Sequence, residues 1–196
     1  MDYQGAKNTL LSRLRAELSP KLTYHGVHHT LDVLRVTEEL CTLEGVTCKD
    51  RDLLCTAAVF HDSGFLRTYQ QHEKVSCQIA LEELPRWQYT LEDIDQICEM
   101  IMATRVPQEP GSFLAKILCD ADLDYLGRDD FYTIGDTLFQ ELVTFGYLST
   151  EYEWNRLQVS FLSQHRYFTT TNQARREPRK NRYLQELQQW VAAHSG

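Results

Sequence analysis

Three short segments of the chain carry residues whose types and spacing could do chemistry. The first holds three histidines, the second is a His-Asp doublet and the third holds three aspartates; in chain order these are His25, His28 and His29, then His61 and Asp62, then Asp120, Asp122 and Asp124. Imidazole nitrogens and carboxylate oxygens together are typical ligands of a divalent transition metal, and a small set leaves positions open for water and substrate. A buried carboxylate is costly unless it is paired or binds a metal. Together the segments predict a metal centre.

Taken singly, each segment has an ordinary structural explanation. The histidines can mark an exposed helix start, and the His-Asp doublet can be the end of a helix beside a loop. The aspartates can cap a helix and form a turn. Only the joint presence of all three, on helices that are at least half-buried, favours the metal centre.

The order of these residues resembles that of a known family. The pattern H…HD…D, with His29 inside Y-H-x-x-x-H and Asp122 inside A-D-L, is similar to the HD-domain metal-dependent phosphohydrolase superfamily. The resemblance runs from about residue 23 to residue 124, roughly half of the chain. It implies an all-α bundle in which the metal lies between helices, and it implies hydrolysis of phosphoesters.

The resemblance assigns roles by position. It implies four metal ligands, which are His29, His61, Asp62 and Asp122. Asp62 is also the expected acceptor of a proton from the attacking water. His25 matches the position that donates a proton to the leaving oxygen in the cyclic-nucleotide phosphodiesterase branch, and a four-residue helical spacing would place it on the same face as His29. The A-D-L context favours Asp122 as the ligand, which leaves Asp120 to orient a ligand imidazole.

Three further residues are candidates for contact with substrate. His72 lies in a segment, residues 71–76, that resembles the helix start following the doublet in the family. It is expected to contact phosphate or to support a ligand from outside the metal's own shell. Lys74 and Arg105 are candidate phosphate-binding cations, although an ordinary surface charge explains each of them equally well.

Two other histidines and one basic run are expected to be structural. His28 would point about 100° away from His29 on a helix and so lie at the surface. His165, outside the matched region, is expected to be a core histidine. Residues 175–180 form a basic run that is expected to be a solvated loop, with a ligand or partner contact as the alternative.

Helical periodicity predicts the elements that carry these motifs. No run alternates with period two for long enough to predict a strand. Residues 53–65 are apolar on nearly all sides and predict a buried central helix, capped by Asp50 or Asp52, with the doublet near its end. Thr90 and Asp93 form a capping-box sequence. The other predicted helices cover residues 10–18, 27–41, 75–84, 94–102, 113–126, 129–147, 151–168 and 181–193.

Short helices without strands predict a compact all-α helical bundle of the HD-domain type with additional C-terminal helices. The sequence contains no repeat and no linker. A single domain over residues 1–196 is therefore expected, with a motif-bearing core over about 23–126 and a helical extension over 127–196.

Composition narrows the class of protein further. The chain has 196 residues, 42% hydrophobic and 24% charged, which is typical of an ordered globular domain. Its formal net charge of −8 argues against a stable nucleic-acid complex but leaves room for a small phosphorylated ligand. Neither a membrane helix nor a signal peptide is indicated, so a cytoplasmic location is expected. The six cysteines lack C-x2-4-C pairs and are interpreted as reduced core thiols.

The function predicted from these features is metal-dependent hydrolysis of a phosphoester, with a nucleotide or another small phosphorylated molecule as substrate. The cofactor is one divalent ion, and the ligand set does not distinguish Mn, Mg, Fe, Ni, Co and Zn. Between the doublet and Asp122 only His72 is available for a second ion, so a single tightly bound ion is expected. An alternative is a metal-binding sensor or interaction module without turnover. A two-iron oxygenase needs more ligands than the sequence offers, and the oligomeric state stays open.

Overall fold

The computed structural model describes residues 1–194, which form nine α-helices, three short 3-10 helices and no strand. The α-helices are α1 (Tyr3–Glu17), α2 (Val27–Leu43), α3 (Cys48–Phe60), α4 (His72–Glu83), α5 (Leu91–Ala103), α6 (Phe113–Asp122), α7 (Phe131–Thr144), α8 (Glu151–Gln164) and α9 (Thr170–Ala193). The 3-10 helices are Ser63–Leu66, Leu84–Trp87 and Asp124–Gly127. The predicted all-α class is confirmed. No helix within residues 1–194 is long and apolar enough to cross a membrane.

Residue contacts divide the chain into two compact units, Met1–Asp122 and a second unit that begins at Leu123. In the first unit α3 is central, because it packs against α1, α2, α5 and α6, and every residue from Leu53 to Phe60 is buried. In the second unit α9 packs against α8 and against the 3-10 helix Asp124–Gly127. The interpretation as one domain with an extension stays a prediction.

The central helix begins earlier than predicted. Its first residue is Cys48, and Thr47 is the N-cap, without a side-chain cap hydrogen bond. The predicted caps, Asp50 and Asp52, lie inside the helix instead. The apolar pattern starts at Leu53 because the first turn of α3 is exposed or half-exposed, so the pattern marks the buried part of the helix and misses its true start.

The central helix also ends earlier than predicted, and the break positions the His-Asp doublet. α3 stops at Phe60, and Ser63–Leu66 form a separate 3-10 helix. A side chain from α4 bridges the break, since Ser76 Oγ donates to His61 O at 2.6 Å and accepts from Gly64 N at 2.8 Å. A Cβ on Gly64 would lie 2.0 Å from His72 O, so this close approach of α4 requires glycine. Periodicity alone misses the break because Ser76, which stabilises it, is distant in sequence.

The predicted capping box at the start of α5 is confirmed. Thr90 Oγ1 accepts a hydrogen bond from Asp93 N at 3.2 Å, and Asp93 Oδ2 accepts one from Thr90 N at 3.0 Å. The Lys49 ammonium pairs with the same carboxylate. Although burial opposes ionisation, Lys49 and Thr90 together lower the pKa of Asp93.

In the second unit the basic run is helical, which corrects the prediction of a solvated loop. α9 begins at Thr170 and passes through Pro178, so it includes residues 175–180. Arg176 Nε donates to Asp124 Oδ1 at 2.7 Å, and Lys180 is only 1% exposed, with its ammonium 2.6 Å from Glu177 Oε1. Arg176 and Lys180 therefore form ion pairs with carboxylates of the same unit. His165 is buried, as expected of a core histidine.

Candidate metal centre

The four predicted metal ligands lie together at the ends of three helices. They are His29 in the first turn of α2, His61 at the C-cap of α3, Asp62 directly after it, and Asp122 at the end of α6. His29 Nε2 lies 3.2 Å from Asp122 Oδ1 and 3.4 Å from Asp62 Oδ2. His61 Nε2 lies 3.5 Å and 3.3 Å from the same two oxygens. Two nitrogens and two oxygens therefore surround one small volume.

The backbone determines which nitrogen of His61 faces this volume. His61 Nδ1 lies 2.8 Å from the carbonyl oxygen of Ala58, which can only accept a hydrogen bond. In the neutral ring the proton is therefore on Nδ1, and Nε2 presents its lone pair. His61 Nε2 and His29 Nε2 lie 3.3 Å apart, so two ring nitrogens face each other as metal-ligating imidazoles do.

The donor atoms fit a divalent metal ion. Ligand atoms that lie about 2.0–2.2 Å from one ion are roughly 3–3.5 Å from each other, which is the range of the distances observed here. Asp62 Oδ2 is buried and has no hydrogen-bond partner, as expected of an oxygen that serves a cation. The potential ligand atoms of His29, His61 and Asp122 all lie within 4.8 Å of one another.

Mutual charge sets the ionisation of the four groups. Burial opposes ionisation of both aspartates, but the imidazoles outweigh it: the pKa of Asp62 lies well below its usual range and that of Asp122 falls to about 2. Burial also opposes charging of His61, yet the two carboxylates hold the pKa of His61 well above its usual value. Both aspartates are thus ionised near neutral pH, as metal ligands must be, and a bound cation would displace the proton of His61.

The ring of Phe65 packs against two imidazole rings beside the four ligands. The ring centroid of Phe65 lies 4.3 Å from that of His25 and 4.1 Å from that of His72, with interplanar angles of 25° and 23°. His72 Nε2 lies 3.3 Å from Asp62 Oδ1, and the rings of His25 and His29 lie 6.0 Å apart. Phe65 therefore holds one imidazole against the ligand carboxylate and another beside a ligand imidazole.

Comparison with known proteins agrees with this geometry. The family model described as "HD domain" matches residues 26–124, about half of the chain. The chain belongs to the HD domain family. HD domains are metal-dependent, and the His, His and Asp donors found together here are suited to that chemistry.

A solved structure shares the HD fold over nearly the whole chain. It is a crystal structure of a predicted HD superfamily hydrolase from an uncultured Thermotogales bacterium, with a TM-score of 0.63 and 20% sequence identity. The match covers 95% of this chain and 91% of the other. No curated protein matches the chain.

His25 lies outside the helix on which its position was predicted. α2 begins at Val27, with Gly26 as an extended N-cap, so the argument from four-residue helical spacing was wrong. A Cβ on Gly26 would lie 2.8 Å from the ring of His28, and this crowding helps to explain why the chain turns here at glycine. His25 still reaches the HD site through its stack on Phe65, while His28 is exposed, as predicted.

The two candidate phosphate-binding cations are not brought among the ligand atoms. Lys74 is exposed and donates to Gln71 Oε1 at 3.2 Å, and Arg105 is exposed in a groove lined by the end of α5 and the loop that follows it. Asp120 is fully buried on α6, two residues before Asp122. Its role in orienting a ligand imidazole stays a prediction.

Sequence reasoning missed four residues near the centre. Phe65 stacks on two histidines, Ser76 fixes the break after α3, Glu73 Oε1 lies 3.7 Å from His72 Nε2, and Gln108 Nε2 lies 3.5 Å from Asp122 Oδ2. Only Glu73 gave a signal, since it is a carboxylate beside a candidate histidine. The other three have no metal-ligand chemistry, and their approach depends on how the helices pack.

Proposed function

We propose that the protein is a metal-dependent phosphohydrolase that cleaves a phosphoester of a nucleotide or another small molecule. The observation that carries the proposal is the convergence of two imidazole nitrogens and two carboxylate oxygens, with two more histidines beside them. Membership of the HD family supports metal-dependent hydrolysis in general.

The four ligand residues would hold the ion, and its open positions would face water and substrate. A divalent ion in this place acts as a Lewis acid and lowers the pKa of a water molecule toward neutrality, which supplies a nucleophile for attack on phosphorus. The lowered pKa of both aspartates favours this binding, because neither needs to lose a proton at neutral pH.

Asp62 is suited to two tasks because its oxygens face different partners. Oδ2 lies among the ligand atoms, whereas Oδ1 lies 3.3 Å from His72 Nε2. In the proposal Oδ2 binds the ion and the carboxylate accepts a proton from the attacking water. A carboxylate of lowered pKa is a weak base. The contact with His72 is one cause of this lowering, so His72 stabilises the ionised form of Asp62 that a metal ligand needs.

The two outer histidines complete the proposed reaction. Burial opposes the charge on His72, but Asp62 outweighs it and raises the pKa of His72, which adds positive charge where a phosphate would bind. His25 is half-buried against Phe65, with its ring centroid 6.1 Å from that of His72, and is placed to protonate the leaving oxygen. This assignment moves the phosphate-binding role from Lys74 and Arg105 to His72.

A nucleotide is the favoured substrate class because aromatic rings lie beside the proposed acid. The ring of Tyr69 lies 6.3 Å from that of His25 and 5.4 Å from that of Phe65, nearly perpendicular to the former. Tyr69 is half-buried, so part of its ring is open to a planar base. A sugar phosphate would not use this surface.

The proposal is tested by turnover of purified protein on a panel of phosphoesters. Nucleoside mono-, di- and triphosphates, cyclic nucleotides, sugar phosphates and nitrophenyl phosphates are each assayed with Mn²⁺, Mg²⁺, Ni²⁺, Co²⁺ and Zn²⁺, and phosphate or nitrophenol release is measured. We expect metal-dependent release, abolished by Asp62→Ala and retained by His28→Ala, whose side chain is exposed.

Metal that binds without release from any phosphoester would contradict the enzyme and favour a sensor. Turnover of sugar phosphates in preference to every nucleotide would leave the hydrolase but contradict the nucleotide. Release that persists in Asp62→Ala would show that another site is responsible.

A further inference from the structure

The six cysteines fall into two facing pairs and two single residues. One pair joins α2 to α3 and the other joins α4 to α5; they are Cys41 with Cys55, and Cys77 with Cys98. Cys48 and Cys119 are the single residues, and all six are free thiols. The second pair plays no part in the proposed phosphohydrolase reaction.

Each thiol of the second pair lies against the backbone of the other residue. Cys77 Sγ donates to Cys98 O at 3.6 Å, and Cys98 Sγ donates to Cys77 O at 3.8 Å. Because the two contacts are reciprocal, both side chains point into the same gap between α4 and α5. Side chains that face each other across a pair of packed helices are one requirement of a disulfide.

Solvent access distinguishes the two pairs. Cys41 and Cys55 are 0% and 1% exposed, so an oxidant in solution cannot reach them without unfolding. Cys77 and Cys98 are half-buried and therefore open to a small molecule. The inner pair is thus a control for the outer one, since the thiols of both pairs interact with each other but only the outer pair is accessible.

The contact between the outer thiols also divides their roles. The hydrogen bond between them lowers the pKa of Cys98 and raises the pKa of Cys77. A thiolate is the form of cysteine that attacks an oxidant. The lower pKa favours Cys98 as the thiolate and Cys77 as the resolving thiol, and the same disulfide forms if the order is reversed.

We propose that Cys77 and Cys98 are an oxidative modification site that forms a reversible intramolecular disulfide in the presence of a peroxide. In the first step the Cys98 thiolate attacks one oxygen of hydrogen peroxide, the O–O bond breaks, and Cys98 sulfenic acid and hydroxide are formed. In the second step Cys77 sulfur attacks the Cys98 sulfur, the S–O bond breaks, and the hydroxyl leaves as water with the proton of Cys77. The two thiols together lose two electrons and the peroxide gains them.

The disulfide would fix the helix that begins with His72, beside the metal centre. Cys77 directly follows Ser76, whose hydroxyl spans the break after α3, and α4 begins with His72. A covalent link to Cys98 would hold α4 against α5 in the packing that the reduced protein already has.

The test maps disulfides in the full-length protein. Reduced protein is freed of reductant, treated with hydrogen peroxide at an equal concentration of protein chains, blocked with iodoacetamide and digested with trypsin. Cleavage after Lys74, Arg86 and Arg105 places Cys77 in peptide 75–86 and Cys98 in peptide 87–105. We expect these two peptides linked and separated again by dithiothreitol, with any link between the inner pair forming roughly tenfold more slowly or not at all.

Serine variants identify the cysteines that form the link. The outcomes that would overturn the proposal are measured on the wild-type protein, so they do not depend on whether a variant folds. Cys77→Ser and Cys98→Ser should each abolish the linked peptide, while Cys48→Ser, at an exposed single cysteine, should leave it unchanged. Accumulation of Cys98 sulfinic acid without the link would overturn the proposal. A link between the inner pair that forms first, or links between molecules in place of the internal one, would overturn it as well.

Discussion

At the scale of single residues, the two nitrogens of His61 have separate tasks. Nδ1 donates to the last turn of α3 through Ala58 O, and this bond leaves Nε2 directed at the aspartates. The oxygens of Asp62 are divided in the same way between the other ligands and His72. Each side chain therefore has one atom for the metal and one for the protein, which fixes the orientation of the donor set before any ion binds.

Asp62→Ala should remove the metal. The substitution deletes the ligand oxygen that is buried without a hydrogen-bond partner and leaves His29 and His61 facing an incomplete donor set. Elemental analysis after gel filtration should find a stoichiometric ion in the wild type and essentially none in the variant. Asp95→Ala, at an exposed position on α5, is the matched control and should retain the ion. Equal metal content in the wild type and Asp62→Ala would contradict the ligand assignment.

His25→Ala should retain the metal and lose activity in a way that depends on the leaving group. A general acid matters most when the departing oxygen is strongly basic, so turnover of an alkyl phosphoester should fall by roughly 10²-fold or more. Turnover of a nitrophenyl phosphoester, whose leaving group needs no proton, should fall much less. Equal losses on both substrates would reduce His25 to a binding or structural role.

Phe65→Leu tests whether the aromatic stack positions the two outer histidines. Leucine preserves an apolar side chain in a buried place but removes the flat surfaces against His25 and His72. We expect kcat to fall by roughly 10- to 10²-fold while metal content is unchanged, because both imidazoles lose their fixed orientation. A change confined to KM, or loss of the metal itself, would show that the ring acts otherwise.

Sequence predicts residues of the centre according to their chemistry. His29, His61 and Asp122 could be found because each type is a metal ligand and their order resembles a family. Phe65 and Gln108 could not be predicted in this way, since neither a phenyl ring nor an amide in a loop is a typical metal ligand. Both lie near the centre only because of how the chain packs. His25 was singled out by resemblance and lies beside His29, but the helical reason given for its placement was wrong, because α2 begins only at Val27.

At the scale of elements, the sequence predicts the end of a helix poorly when no local pattern of residues marks that end. The capping box at Thr90 is a local pattern of side chain and backbone, and it was located correctly. The break after Phe60 depends on Ser76, which is distant in sequence. The basic run over residues 175–180 was taken for a loop because such runs are usually solvated, although contacts within its unit hold it in α9.

Thr90→Ala should destabilise the protein by about 1 kcal/mol, because it removes the side chain that accepts from the third residue of α5. Urea unfolding followed by circular dichroism measures this difference. Thr90→Ser retains the hydroxyl and should recover most of the loss. A Thr90→Ala variant as stable as the wild type would show that water replaces the cap at no cost.

The partner of Thr90 in the capping box gives a dependence on pH whose sign is fixed. The pKa of Asp93 is lowered in the folded protein from an ordinary value of 3.8, so protons bind the unfolded chain more readily. Its stabilisation is therefore complete above the ordinary value and is lost as the pH falls through the lower folded value. Asp93→Asn should be less stable than the wild type at pH 7, and the difference should shrink below about pH 4. A difference that grows in acid would contradict the ion pair with Lys49.

At the scale of the whole molecule, the fold depends on the helical pattern more than on residue identity. A TM-score of 0.63 at 20% identity means that most positions differ while the helices keep their arrangement. What helical packing requires is apolar residues at helical spacing, and such a pattern survives many substitutions. This explains why the all-α class could be predicted from periodicity. The division of contacts after Asp122 could not be predicted, because neither a change in composition nor a linker marks it in the sequence.

One tightly bound ion per chain is the prediction for the protein as a whole. Beyond the four ligands, a second ion would rely on His72 and Glu73 together with Asp62 Oδ1. His72 Nε2 lies 3.3 Å from Asp62 Oδ1 and 3.7 Å from Glu73 Oε1. Because the pKa of His72 is raised, a proton competes with an ion for this nitrogen. Such a set suits weakly held Mg²⁺ better than Zn²⁺ or Fe²⁺.

Metal analysis and thermal unfolding of the same samples test this count. After dialysis we expect one ion per chain, and its removal by a chelator should lower the Tm, because an ion that binds only the folded state stabilises it by about 2.7 kcal/mol at a hundredfold excess over Kd. The Tm of Asp62→Ala should not respond to metal or chelator. Two stoichiometric transition-metal ions after dialysis, with anomalous peaks roughly 3.5–4 Å apart as in two-metal sites, would contradict the single ion. Since His72 and Glu73 would then be ligands, that result would also revive the two-iron oxygenase in place of the phosphohydrolase.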